Sequence, residues 1–282
     1  MSEESFSLDP ESAAAAADFL DDRSMVLRWL VAFLRHIDKL PGESLSSWRL
    51  YWSDEPGAGC VLAHSFRNGT AYVCAEDGFD FESLRGMFRE DLLPERIIVD
   101  RATADTWRSS SPGMLESAGR SLALQVLARP RDAGAAATEE IDGNVFRAAR
   151  ADEAGALRQL EGMHCREVGL EEIHSDFDSL IEAGLVYVVD GDGELAGYVC
   201  SNLSDGRYVH VSGLYVIPAH RGSRLGCVLA TGIARRIDEL HGADALVDVY
   251  SDNAPAINTY LEAGYLAVGE GLETRYHRDT WR

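Results

Sequence analysis

The residues best suited to chemistry lie in the run Leu214-Tyr215-Val216-Ile217-Pro218-Ala219-His220-Arg221-Gly222-Ser223-Arg224-Leu225-Gly226-Cys227. An apolar stretch stops at a proline, and a short loop with arginines and glycines leads into a long segment with helical periodicity. The first N–H groups of a helix have no partner inside it and sit at the positive end of its dipole. Such a start binds phosphate, above all where Gly222 and Gly226 let a ligand approach the backbone. Arg221 and Arg224 add fixed positive charge suited to a pyrophosphate. The loop is neither a Walker motif nor a GxGxxG fingerprint, so a nucleotide-bearing ligand is expected without a named class. Cys227 stands at the same helix start, where thiol pKa values fall. That leaves an acyl-cysteine route open beside plain packing.

A second segment, Asp248 to Tyr265, carries Asn253 as an N-cap, with Pro255 tolerated in the first turn. Ile257, Tyr260, Leu261 and Gly264 fall on one helical face. Together the two segments resemble the GNAT superfamily of N-acyltransferases. Its acyl-CoA signature reads Gln/Arg-x-x-Gly-x-Gly/Ala; Arg221 and Gly226 match its ends, and Arg224 replaces the middle glycine while keeping the loop cationic. The downstream pattern Asn-x-x-Ala-x-x-x-Tyr-x-x-x-Gly-Phe/Tyr is met by Asn253, Ala256, Tyr260, Gly264 and Tyr265. The resemblance covers about half of the chain. Ser212-Gly213-Leu214-Tyr215 before the loop is similar to the branch that includes glycine N-acyltransferase-like enzymes.

The resemblance implies two parallel strands, Tyr208–Val216 and Ala245–Tyr250, that splay to admit pantetheine. Backbone amides near Leu214, Tyr215 and Val216 would hold that arm and polarise the thioester carbonyl. The loop Arg221, Gly222, Ser223, Arg224, Leu225 and Gly226 would hold the pyrophosphate, with Asn253 nearby, and acetyl-CoA or another short acyl-CoA is the implied cofactor. An amine would attack the thioester directly, with rate drawn from positioning. Tyr260 is suited to protonate the leaving thiolate. For the general base, relatives place a carboxylate where this chain has Ser212 and Gly213. His210, on the same strand face as Ser212, and Glu167, expected in a loop between two helices, are the candidates.

These residues need a scaffold, and the C-terminal half supplies one. Val145–Ala149 reads as a strand, and Asp152 as the cap of a helix running to about Glu161. A second helix lies near 176–183, and Leu185–Val189 is an apolar strand covered on both faces. Asp190-Gly191-Asp192-Gly193 turns the chain into Leu195–Asn202. The helix Gly226–His241 and the helix Pro255–Ala263 carry the two motifs, and strands at Tyr265–Val268 and Thr274–His277 close the sheet. Residues 131–143 are small, polar and aperiodic and read as a linker. Ahead of it, residues 1–130 show a helix around 12–22 and an apolar face of Val26, Leu27, Leu30, Leu34 and Ile37. Two β-rich runs follow, joined through Asn68-Gly69 as a type I′ hairpin. A helix over 81–89, a strand at 96–100, a helix near 103–109 and a strand at 121–128 complete a degenerate GNAT-like copy. That copy has no phosphate loop: Phe88-Arg89-Glu90-Asp91 offers neither glycines nor paired arginines. The expected class is therefore α/β (α+β), two GNAT-like domains, each a mixed, mostly antiparallel twisted sheet flanked by helices. The domains are 1–130 and 144–282, the first shaping the acceptor cleft or a homodimer.

Composition sets the exterior limits. The net charge is −21 and Lys39 is the one lysine, which argues against nucleic acid or anionic membrane as a partner. The acidity serves solvation and is compatible with a cationic substrate. An acidic start and the lack of a long apolar run point to a cytoplasmic chain. Five scattered cysteines without CxxC spacing suggest neither disulfides nor a metal site, and adjacent His164 and Cys165 are no metal spacing. The acceptor amine, whether a small molecule or a protein N-terminus, is not legible.

Overall fold

The computed structural model describes residues 8–39, 45–88, 93–111, 120–131, 140–141, 144–168, 175–191 and 193–276. Two compact units emerge, and they do not follow the chain in sequence: 248–252 and 267–282 group with 1–126, while 127–247 and 253–266 form the second unit. The expected domain boundary at 131–143 is therefore not where the units divide. Of that stretch only Arg131 and Glu140–Ile141 are described.

In the first unit, α1 (Pro10–Asp21) is capped by Asp9, whose carboxylate accepts from the Glu11 and Ser12 N–H groups. Next come α2 (Arg28–Arg35) and a 3-10 turn at Ile37–Lys39. The predicted apolar face is buried as a set, although the helix itself begins only at Arg28. β1 (Trp48–Ser53), β2 (Cys60–Ser65) and β3 (Thr70–Ala75) form an antiparallel meander. Its β2–β3 loop has four residues, 66–69, with positive φ at Gly69 alone, so it is not the expected type I′ turn. Asn68 instead accepts a hydrogen bond from the Thr70 N–H at 3.1 Å. The helix expected over 81–89 is a 3-10 turn, Phe81–Ser83, followed by α3 (Leu84–Met87); Arg89 to Asp91 lie outside the described residues.

β4 (Arg96–Asp100) then pairs parallel to β3, α4 (Arg101–Ser110) follows, and β5 (Arg120–Arg129) ends the run. Phe81 stacks on Trp107 at 5.3 Å in the core beneath β2, β3 and β4. His64 is buried, with Phe66 and Phe88 in edge contact with its ring, and its Nε2 has no hydrogen-bond partner among the described residues. The parallel β3–β4 ladder takes in four of the five residues of β4. Beyond it, Thr103 Oγ1 accepts from the Ala75 N–H at 3.0 Å, and Asp100 caps α4 by accepting from the Thr103 N–H. The two strands are thus closed to their ends.

The second unit begins with β6 (Glu140–Ile141) and β7 (Asn144–Ala148), followed by α5 (Ala154–Val168) and α6 (Phe177–Glu182). β8 (Val186–Gly191), β9 (Glu194–Ser204) and β10 (Tyr208–Val216) continue antiparallel from β7. Arg147 on β7 binds Glu153 at 2.7 Å and Asp190 at 2.8 Å, tying the sheet to the start of α5. That helix runs well past Glu161, so Glu167 sits in its last turn and not in a loop. Then come α7 (Leu225–His241), β11 (Asp244–Tyr250), α8 (Ala254–Glu262) and β12 (Leu266–Arg275). Residues 248–250 of β11 and 267–275 of β12 group with the first unit, and β12 is one strand where two short ones were expected, because its Gly271 to Arg275 pair antiparallel with β4 of that same unit.

Both units use the same plan, an antiparallel meander followed by a parallel strand after a helical crossover. They differ in one respect. β10 and β11 pair only over Tyr208↔Asp244, Val209↔Ala245 and His210↔Leu246, three of the seven residues of β11. β10 runs on to Val216 without that neighbour.

Candidate acyl-donor and proton-transfer site

Where β10 leaves its parallel ladder, it also breaks register with β9 between Ser212 and Tyr215. Gly213 makes the break, with φ at +66° and room limited by the Tyr198 ring, 3.1 Å from where a Cβ would stand. Leu214, Tyr215 and Val216 follow this bulge on a stretch of strand with one edge unladdered. Backbone groups there are available to an extended ligand in the way that a strand edge accepts another chain.

The chain then passes a 3-10 turn, Pro218–His220, and enters α7. No side chain caps this helix, and its first ladder bond runs from the Val228 N–H to the Arg224 carbonyl at 3.0 Å. The N–H groups of Leu225, Gly226 and Cys227 therefore stay outside the helical ladder, at the positive end of a 17-residue dipole. Gly222 has φ +80° and open space around it. Ser223 donates its hydroxyl to the His220 carbonyl, which fixes the loop from within. Gly226 has a second duty: a Cβ there would stand 3.1 Å from Thr259 Cγ2, so its absence also lets α8 close on α7.

Arg224 adopts φ +65°, the one non-glycine residue with positive φ among those described. It stands where the signature has glycine, in a left-handed conformation that glycine adopts without steric cost. A left-handed residue with a Cβ costs about 1–2 kcal/mol, against about 0.5–1 kcal/mol for the extra chain entropy of glycine. Arg224→Gly is therefore expected to stabilise the fold by about 0.5–1 kcal/mol in urea denaturation while removing a cation from the loop. Its side chain is exposed and makes no hydrogen bond or ion pair among the described residues.

Arg221 is different. Its Nε donates to the Val216 carbonyl at 2.9 Å, its NH2 group pairs with Glu167 at 2.5 Å, and its guanidinium lies 5.4 Å from the centre of the Tyr215 ring. Tyr215 donates its hydroxyl to the other Glu167 oxygen at 3.0 Å, and His164 stacks on the Tyr215 ring at 5.1 Å. The Arg221 hydrogen bond holds the Glu167 carboxyl below its ordinary range, helped by Tyr215. Burial pushes His164 down in spite of nearby carboxylates.

Of the proposed proton-transfer groups, Tyr260 is buried on α8, edge-on to Tyr265 at 5.0 Å. Tyr265 donates its hydroxyl to the Ala230 carbonyl, whereas the Tyr260 hydroxyl bonds to none of the described residues. Burial raises the Tyr260 pKa well above the ordinary phenol value, so it stays protonated. His210 on β10 accepts at Nδ1 from Asn202 Nδ2 at 3.1 Å, and Asn202 also reaches Ser212 Oγ at 3.3 Å. With Nδ1 accepting, the neutral ring carries its proton on Nε2. Asn253 spends its side-chain oxygen on the Ala256 N–H at 3.2 Å, as a cap. Cys227 and Cys165 are buried, free thiols.

The structure thus brings Arg221, Glu167, Tyr215 and His164 together, and His210 with Ser212. Asn202 is a partner that the sequence did not single out, and His164, weighed there only as a metal ligand, is a stacking partner of Tyr215. Their roles depend on which strand and which helix face pack beside β10, and nothing local encodes that. Among the described residues no cluster of His, Cys, Asp or Glu has metal-binding geometry, and no helix is long and apolar enough to cross a membrane.

Comparison with known proteins follows this geometry. Residues 155–265, from α5 to the end of the second motif, match the model of the acetyltransferase (GNAT) family. Residues 155–265 are a GNAT domain. No curated protein matches the chain by sequence. Among solved structures, a Drosophila protein of 12% identity aligns over 96% of this chain and 98% of its own with a TM-score of 0.67. An acetyltransferase of the GNAT family from Colwellia psychrerythraea, 13% identical, aligns over 96% and 98% at 0.59. A tandem GNAT protein from the clavulanic acid biosynthesis pathway, 15% identical, aligns over 96% of each chain at 0.60. Over nearly its whole length the chain therefore shares a fold with a tandem GNAT protein.

Proposed function

We propose that the GNAT domain transfers an acetyl or other short acyl group from acyl-CoA to a primary amine, by direct attack in a ternary complex. The observation that carries this reading is the parting of β10 from β11 after His210, next to an uncapped helix start with two arginines. The residues suit the donor: an anion finds the free N–H groups of Leu225, Gly226 and Cys227, with Arg224 exposed beside them, and Gly222 sets no steric limit. Bound there, the acyl-CoA supplies a thioester already activated toward amines. The unladdered edge at Leu214, Tyr215 and Val216 would align the pantetheine arm and polarise the acyl carbonyl. Tyr260 would donate its proton to the departing sulfur.

Neither base candidate is poised to take the amine's proton in this arrangement. Glu167 is held by Arg221, and His210 by Asn202. The amine is taken to bind neutral and to give its proton to water. The expected pH profile follows: kcat/KM rises as pH passes the acceptor's own pKa. It shows no fall up to about pH 10, because Tyr260 is still protonated there. A decline between about pH 8 and 10 would take the acid role from Tyr260.

A second reading is an acyl-CoA sensor without turnover, and the occupied state of both base candidates favours it. The decisive test is isothermal titration with acetyl-CoA against the wild type and the Arg221→Ala, Arg224→Ala double variant, followed by mass spectrometry on an amine panel. The double variant is expected to lose at least about tenfold in affinity, from about 1.5–3 kcal/mol per charged hydrogen bond. Binding without acylation of any amine would favour the sensor, and no binding by the wild type would sink both readings. The acceptor, a small amine or a protein N-terminus, is met in a soluble cytoplasmic setting in this proposal. The first unit, its parallel strands closed by Thr103, serves the acceptor side or a homodimer and binds no donor.

A further inference from the structure

Resting on the acyl-CoA reading above, we infer that Glu167 competes with the donor for Arg221, so that acyl-CoA binds only by displacing a carboxylate of the chain itself. The geometry of Arg221 separates two functions on one guanidinium. Nε bonds to the Val216 carbonyl at 2.9 Å, which fixes the arginine to the end of β10. The NH2 group, directed at Glu167 at 2.5 Å, is where a phosphate oxygen would bond. Glu167 is steadied for this by the Tyr215 hydroxyl at 3.0 Å, and Tyr215 in turn by His164 stacked on its ring. The competitor is therefore placed by α5 and β10 together and is not a drifting surface charge.

Arg224 has no such internal partner among the described residues. One arginine of the loop is free for the ligand at first encounter, and the other is released afterwards. Both members of the Arg221–Glu167 pair are partly exposed, at 48% and 38% of their side-chain surface, so the pair is weak enough to be exchanged. A phosphate brings more charge than the carboxylate it replaces and keeps the planar bonding that arginine favours. The displaced Glu167 then turns to water without crossing the core.

The test is titration of the full-length chain with coenzyme A itself, in four forms: wild type, Glu167→Gln, Arg221→Ala, and the two combined. Glu167→Gln is expected to tighten binding about 2- to 5-fold, the range of an exposed ion pair. On the Arg221→Ala background the same change is expected to do nothing. Unchanged or weaker binding by both Glu167→Gln and Glu167→Ala overturns the inference, and so does an equal gain without Arg221, since that would be general charge repulsion. Glu167→Ala provides a second variant should glutamine keep the hydrogen bond to Arg221, and circular dichroism checks that each is folded. Binding by the wild type with no response at position 167 leaves the acyl-CoA reading standing. No binding by any form removes that reading and this one with it.

Discussion

Tyr260→Phe is expected to lower kcat by about 10²- to 10⁴-fold with little change in KM for acyl-CoA. The change removes one hydroxyl from a ring whose position is set by packing. Tyr260 lies in the α8 face against Tyr265, and its hydroxyl bonds to no described residue. The fold therefore loses no hydrogen bond, and stability should shift by less than about 0.5 kcal/mol. Burial keeps the phenol protonated, which suits a donor to a leaving thiolate and does not suit a base. The measurement is steady-state acylation of the best acceptor found in the amine panel, with thermal melting of both proteins alongside. A variant within about threefold of wild type would return Tyr260 to plain packing. A large loss of kcat with an unchanged melting temperature would place the proton on this oxygen.

The largest expected effect on stability lies in the first unit, at His64. Burial, with Arg49 adding repulsion, lowers its pKa from the ordinary 6.5 to about 4. A depressed pKa means that the folded state binds the proton less readily than the unfolded chain. The stabilising effect is complete above pH 6.5 and is lost as pH falls from 6.5 through about 4. The shift of roughly 2.5 units corresponds to about 3 kcal/mol over that window. Nearby carboxylates add their own acid losses, so the comparison must be with a variant. His64→Phe fills a site already bounded by Phe66 and Phe88 and removes a buried Nε2 that has no partner among the described residues. It is expected to gain about 1–3 kcal/mol at pH 7 and to flatten the decline between pH 6.5 and 4. Urea midpoints measured at half-unit pH steps would show this directly. Parallel curves for the two proteins would mean that His64 is solvated or hydrogen-bonded when folded.

Much of the candidate site's local structure was legible in the residues. The helix start after Pro218, the glycine and arginine loop, the N-cap at Asn253 and the face bearing Tyr260 are all local features. Capping, helical period and φ preference act over a few residues, so a linear reading reaches them. The same holds for the buried face of Val26, Leu27, Leu30, Leu34 and Ile37. What the linear reading missed was set by distant partners. β12 is continuous because Gly271 to Arg275 pair with β4, far away in sequence. Tyr265–Val268 and Thr274–His277 read locally as two pieces.

The same cause explains the site. Glu167 became a partner of Arg221 only because α5 extends past Glu161 and lies along the bulged end of β10. His210 lost its freedom as a base to Asn202, which reaches it from the neighbouring strand β9. The parting of β10 from β11, and the closing of β3 against β4 by Thr103, come from ladder length and register. The sequence by itself determined an anion-binding helix start with arginines and glycines ahead of it, because charge, glycine placement and helix start are written residue by residue. The acyl donor enters through the resemblance and belongs to the proposal. Which groups are free to act on it was decided by the tertiary structure, because hydrogen-bond partners are assigned by packing and not by neighbours in the chain.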